Sequence, residues 1–176
     1  MRDAGDHSWA ARSMDEFPLA NATPAELLRL HAAIGEQLRE RGIVRSANNP
    51  VGDLAEYLFC QAFGWAQAAN SAKSADAACS KGKLYQIKGR RTTRHNGSRQ
   101  LGALRGLSDG GFDFLAGVIF AEDYTVSRAA IIPHATVLAN ATYVELTNSW
   151  KFMMRDTVWD WPETVDATAE LRAVKF

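Results

Sequence analysis

Leu84-Tyr85-Gln86-Ile87-Lys88-Gly89-Arg90-Arg91 decides how the chain is read. As an extended strand it sends Gln86 and Lys88 to one face and Tyr85 and Ile87 to the other, toward apolar neighbours. Upstream, Ser74 to Cys79 also suits a strand, and the turn-like Ser80-Lys81-Gly82 between the two segments predicts a β-hairpin. That pairing would set Asp76 beside Gln86 and Lys88 at one edge of a sheet.

Working outward toward the N-terminus, Asn49-Pro50 opens a helical pattern. Val51, Leu54, Ala55, Leu58, Phe59, Ala62 and Phe63 make one apolar stripe, which ends near Gly64. At about 100° per residue Glu56 falls on the edge of that stripe, where a carboxylate either reaches solvent or faces a site beside the core. Earlier still, Thr23-Pro24-Ala25-Glu26 reads as a capping box. It is followed by Leu27, Leu30, Ile34 and Leu38 at helical spacing and by Gly42 as a stop. Residues 1–20 show no period and read as a loosely ordered arm.

Toward the C-terminus, Thr92 to Ser98 is a polar loop, and a short helical pattern spans Arg99 to Leu107 before Asp109-Gly110-Gly111. Phe112 to Phe120 and Ser127 to Ile132 read as strands, the first apolar enough to lie in mid-sheet. Pro133-His134 starts a helix through Asn140, and the remainder, with Trp150, Trp159 and Trp161, shows no pattern that assigns its shape. The order α, α, β, β, (α), β, β, α predicts one α/β domain over residues 1–176, a central sheet with helices packed on it. Within it, 1–47 forms the N-terminal arm and helix, 48–140 the core and 141–176 a C-terminal extension.

Composition narrows the function. The chain has 176 residues, 20 Lys+Arg against 20 Asp+Glu, 47% hydrophobic residues and two cysteines, which excludes a disordered tail, a collagen-like fibre and a disulfide scaffold. The apolar run Leu115 to Ala121 is far short of the roughly 20 residues that span a bilayer, so no membrane is expected. The first seven residues lack the apolar stretch of a secretory signal, so the expected location is cytoplasmic, with Cys60 and Cys79 reduced in the core. His7, His31, His95 and His134 lack metal-ligand spacing, and zinc is not expected.

The charge is unevenly placed. Lys81 to Arg105 holds eight basic residues (Lys81, Lys83, Lys88, Arg90, Arg91, Arg94, Arg99, Arg105) and no Asp or Glu. Such a run is either a solvated face or a strip for phosphates, which planar guanidinium forks suit well. Salt links from Arg90, Arg91 and Arg94 to the acidic segment Asp156, Asp160, Glu163 and Asp166 are an equally physical use.

If helix and hairpin come together, Glu56, Asp76, Gln86 and Lys88 meet: two carboxylates, an amide oxygen and an ammonium group. Hard divalent cations take such oxygens, Mg²⁺ in particular, with Mn²⁺ as a substitute. A metal of this kind activates water and stabilises charge developing on phosphorus, while a neighbouring lysine orients the water or neutralises the phosphate.

Glu56 on a helix, Asp76 on one strand and Gln86-Ile87-Lys88 on the next resemble the PD-(D/E)XK nuclease superfamily. Gly52-Asp53-Leu54-Ala55-Glu56, Gln86-Ile87-Lys88-Gly89-Arg90-Arg91 and Phe112-Asp113 also resemble a group of small bacterial members; the likeness covers about residues 48 to 138. It implies a restriction-endonuclease-like core, a mixed sheet flanked by helices. It also implies that Asp76, the Gln86 carbonyl and the Ile87 backbone oxygen bind Mg²⁺, with Glu56 as the helix-borne acid and Lys88 as the catalytic lysine. The implied activity is DNA endonuclease, of restriction, defence or repair type, giving a 5′-phosphate and a 3′-hydroxyl. Cleavage of a palindrome would require two active sites, hence a homodimer. Two positions depart from the pattern: Ala75 stands where proline is common, and Gln86 removes a negative ligand, which weakens metal binding unless Glu56 compensates. The rival reading is a non-catalytic nucleic-acid-binding or protein-interaction module that keeps the fold. Asp113 reads as a strand boundary outside the site.

Overall fold

Pro24–Glu40 forms helix α1, begun by the capping box: Thr23 Oγ1 accepts from the Glu26 N–H at 3.3 Å, and Glu26 Oε2 accepts from the Thr23 N–H at 2.8 Å. The computed structural model describes residues 19–68 and 75–176, so most of the arm read over residues 1–20 lies outside the described residues. The chain divides into two compact units, residues 1–41 and 42–176; α1 belongs to the first and everything that follows to the second.

Helix α2, Val51–Phe63, starts where Asn49 Oδ1 accepts the Val51 N–H at 3.1 Å and stops at Gly64, whose φ of 64° suits a residue without a side chain. Leu54, Ala55, Leu58 and Phe59 of its stripe are buried. Strands β1 (Ala66–Gln67), β2 (Ala77–Ala78), β3 (Leu84–Arg91), β4 (Phe114–Phe120) and β5 (Val126–Pro133) come next. They are followed by helix α3 (His134–Asn140), the β6 (Thr142–Val144) and β7 (Ser149–Lys151) pair, β8 (Val165–Asp166) and helix α4 (Thr168–Ala173). Six strands form one mixed sheet in the order β1-β2-β3-β4-β5-β8, antiparallel throughout except for the parallel pair β3–β4; β6 and β7 pair separately.

The two faces of the sheet are covered differently. On one, Gly89 of β3 meets α2 so closely that a Cβ there would lie 2.8 Å from the Val51 carbonyl oxygen and 3.1 Å from Ala55 Cβ. On the other, a Cβ on Gly117 of β4 would lie 3.0 Å from Met154 Sδ and 3.2 Å from Leu101 Cδ1. This second face is covered by an apolar cluster of Leu101, Leu104, Leu107, Phe152 and Met154 packed on Leu115 and Ile119. Gly89→Ala is therefore expected to cost about 1–3 kcal/mol by overpacking, read as a lower midpoint in urea with an unchanged slope. An unchanged midpoint would mean that α2 can move away freely.

Four sequence expectations need correction. The strand read over Ser74 to Cys79 is only Ala77–Ala78, with Ser74 outside the described residues and Asp76 just ahead of the strand. The helical pattern over Arg99 to Leu107 is not a helix: Leu101 and Leu104 donate to the Phe152 and Trp150 carbonyls at 3.0 and 3.1 Å in an extended loop, followed by a 3₁₀ turn at Leu107–Asp109. Its three leucines are buried at three-residue intervals, and that spacing imitates a helix. Segment 141–176, read as a C-terminal extension of a core ending at 140, contributes to that core: β8 joins the main sheet and Phe152, Met154 and Val158 enter the apolar cluster. Cys79 is only half-buried.

Candidate metal and phosphate site

The site forms where β2 ends and β3 continues with β4 as its one strand partner. The last paired residues of the β2–β3 ladder are Ala77 and Tyr85, and the Asp76 N–H still reaches the Tyr85 carbonyl at 2.8 Å. Ile87 lies beyond the ladder, and its N–H goes instead to Asp76 Oδ2 at 2.6 Å. A strand residue sends its N–H and C=O to the same side, so the Ile87 carbonyl faces the same opening. Asp76 Oδ2 also accepts the Gln86 side-chain amide and stands 3.9 Å from Lys88 Nζ. Three of the sequence-predicted residues thus converge on one carboxylate oxygen. Both Asp76 and Lys88 are mostly buried, their side chains 22% and 28% exposed.

Glu56 arrives differently. It projects from α2, which packs on the Gly89 face, whereas Lys88 shares the face of its in-register partner Gly117. Among the described residues its bonded partners are Arg45, as a short ion pair, and Gln67, whose amide donates to Oε2 at 2.9 Å. Burial pushes the Glu56 carboxyl above its usual range and the Asp76 charge adds to it, outweighing the Gln67 amide and the Arg45 guanidinium, which pull it down. Glu56 therefore feels Asp76 electrostatically without sharing a hydrogen bond with it.

Arg45 was not legible as a site residue. Its backbone N–H binds Asp53 Oδ2 at 2.9 Å, its Nη1 donates to the Ala68 carbonyl at 3.0 Å, and its Nε is buried without a partner among the described residues. The Ser46 N–H and hydroxyl also reach Asp53 Oδ2, both at 2.8 Å, so the first turn of α2 holds the loop that carries Arg45. These contacts are 7 to 23 residues apart in sequence and start from a loop without a period; the only local signal is a charged residue directly after the buried pair Ile43 and Val44.

The donor set suits a hard cation of modest demand. Among the described residues no three His, Cys, Asp or Glu side chains form a metal-holding group. Mg²⁺, however, needs only one or two carboxylates and keeps several waters. Asp76 Oδ1 and Gln86 Oε1 take no hydrogen bond from a described residue.

The basic run separates into paired and open members. Lys83 is tied to Asp113 at 2.7 Å, and Arg99 to Asp156 at 2.5 Å. Asp113 also accepts the Leu84 N–H at 2.9 Å, which fixes the start of β4 to that of β3. Arg94 Nε donates to His95, Arg90 Nε donates to the Ser98 carbonyl, and Arg91 lies 4.4 Å over the Tyr124 ring. Arg90, Arg91 and Arg94 thus do not use the acidic C-terminal segment. Arg90 and Arg91 line a cleft of about 330 Å³ with Asn49, Gly89, Thr93 and Asn96. Lys81 and Arg105 are exposed.

The two cysteines differ in chemistry. Burial, with the Glu56 charge adding to it, pushes the Cys60 thiol up to about 11. Burial raises Cys79 too, but hydrogen bonds from the Lys81 and Lys83 backbone and the Tyr85 hydroxyl outweigh it, and the thiol lies below its usual value. Because the thiolate is the nucleophile, iodoacetamide at neutral pH is expected to modify Cys79 first and Cys60 only on unfolding, as peptide mass spectrometry would read. The opposite order would contradict this burial pattern.

Compared with known proteins, the chain matches no family model and no curated protein.

Proposed function

We propose that this protein is a Mg²⁺-dependent DNA endonuclease with a PD-(D/E)XK-type site on a restriction-endonuclease-like core. The observation that carries this reading is the convergence of the Gln86 amide, the Ile87 N–H and the Lys88 ammonium group on Asp76 Oδ2, on the edge of β3 that β2 leaves uncovered past Tyr85. Asp76 Oδ1, Gln86 Oε1 and the Ile87 carbonyl would hold the ion, with Glu56 joining as Arg45 turns from it to the phosphate. Mg²⁺, or Mn²⁺ in its place, supplies positive charge against the charge developing on the scissile phosphate. Lys88 hydrogen-bonds the attacking water or a phosphate oxygen. The cleft beside Arg90 and Arg91 and the exposed Lys81, Arg94 and Arg105 hold the flanking backbone; Lys83 and Arg99, already ion-paired, contribute less.

One observation favours the rival, a nucleic-acid-binding or protein-interaction module that does not cut: Arg45 already gives Glu56 its countercharge. Purified protein incubated with plasmid, single-stranded DNA and RNA, each with Mg²⁺, Mn²⁺ or chelator, separates the two readings. Hydrolysis of DNA that needs the metal supports the nuclease. Salt-sensitive binding without hydrolysis in any arm overturns it in favour of the module.

A further inference from the structure

The β6–β7 hairpin turns through a 3₁₀ segment, Glu145–Thr147, and Asn148 with φ 42°. Its register sets Tyr143 opposite Trp150, with ring centroids 5.3 Å apart at 57°. Trp150 exchanges two backbone hydrogen bonds with Leu104, at 2.8 and 3.1 Å, which fasten the hairpin to the loop ahead of β4. Between them lies a cleft of about 630 Å³ lined by Arg105, Ser108, Asp109, Tyr143, Asn148 and Trp150. Tyr143 is 46% exposed, its hydroxyl donating to Asn148 Oδ1 at 2.9 Å, and Asp109 accepts from the Ser108 hydroxyl at 3.2 Å. Arg105 has no ion pair or hydrogen bond among the described residues.

We propose that this cleft binds one unpaired nucleotide: its base against Tyr143 and Trp150, its amino edge toward Asp109 and its phosphate on Arg105. The lining discriminates between ligand classes. A bare phosphate would have no use for the two rings and would meet the Asp109 carboxylate. A wholly apolar ligand would leave both Arg105 and Asp109 unanswered. A nucleotide combines an aromatic face, hydrogen-bond donors and a negative charge, and stacking on aromatic side chains is a general mode of base capture. The cleft also lies near the proposed cutting site. A Cβ on Gly102 would be 4.0 Å from Lys88 Cδ, and the three residues from Gly102 to Arg105 span at most about 11 Å. One strand could therefore touch both places. The inference rests on the nucleic-acid reading of the basic run but not on cleavage.

The test measures binding of the full chain in chelator to a short single-stranded DNA, to a strand of equal length made of abasic residues, and to nucleoside 5′-monophosphates. The expected result is about tenfold tighter binding of the base-containing strand, a preference that Tyr143→Ala erases. Arg105→Gln should weaken monophosphate binding, which is a second readout if the hairpin variant does not fold. Binding of the monophosphates alone would assign the same cleft to a free nucleotide. Equal affinity for both strands together with no monophosphate binding would overturn the proposal, even if the protein cuts DNA. Base-dependent binding without metal-dependent cutting would retain the cleft and remove only the nuclease.

Discussion

Replacing Lys88 by alanine is expected to slow DNA hydrolysis by about 10²–10⁴-fold while leaving DNA affinity nearly unchanged. The reason is geometric. Lys88 Nζ lies 3.9 Å from Asp76 Oδ2, on a mostly buried side chain, so in the proposed mechanism its ammonium group would serve the reacting phosphate and only one backbone contact. On the same proposal, affinity would come from the open members of the basic run, each contributing separately through released counterions. The loss should fall in kcat. Asp76→Ala is expected to be as slow and, unlike Lys88→Ala, to lose its dependence on Mg²⁺ concentration, because that carboxylate is the centre on which Gln86, Ile87 and Lys88 converge. Asp76→Asn keeps an acceptor for the Ile87 N–H and separates loss of charge from loss of structure. Cutting at the wild-type rate by either alanine variant would remove that residue from the mechanism.

Trp65→Ala should have the largest effect on stability, about 3–5 kcal/mol, read by urea unfolding. Trp65 is buried in an aromatic stack, 3.7 Å from the Tyr85 ring centroid, 5.1 Å from Phe63 and 5.7 Å from Phe59, and Tyr85 in turn lies 5.5 Å from Phe114. The stack joins the end of α2 to β3 and β4. Against a typical total of about 5–15 kcal/mol, that is a large share of the unit's stability. It also sets the site. The two residues after it form β1; Gln67 then holds Glu56, the Ala68 carbonyl holds Arg45, and the Ala68 N–H binds the Asp76 carbonyl at 2.8 Å. Trp65→Phe should recover most of the stability because it restores a stacked ring. A loss below about 1 kcal/mol for the alanine variant would show that the stack adds little beyond surface contact.

Where local signals were strong, the sequence predicted the fold well. Thr23 and Glu26 announced α1, Gly64 closed α2, and the alternation from Leu84 to Arg91 gave β3 with its ends. The apolar run from Phe114 to Phe120 does lie inside the sheet, between β3 and β5. What failed had either no period to read or a misleading one. β1 has two residues, and its pairing with β2 spans residues 66–78. The loop at Leu101 to Leu107 keeps helix-like spacing because its leucines follow one apolar wall, and its hydrogen bonds go to Trp150 and Phe152, about 50 residues away. In the candidate site, Asp76, Gln86 and Lys88 were legible because a hairpin fixes their relation. Arg45 was not, because its ion pair with Glu56 depends on where a loop without pattern comes to rest.

The main sheet has an edge that offers little to a stranger. β1 and β8, at its two ends, contain only two residues each, so an intruding chain finds room for barely one rung of a new ladder on either of them, and on the outer margin of β3 past Tyr85 the Asp76 carboxylate already takes the Ile87 N–H. Long bare margins invite neighbouring molecules to stack into fibres, and short ones deny them a template. Concentrated solutions of the folded chain should accordingly resist fibre growth, even though β4 at the centre is among its most apolar segments.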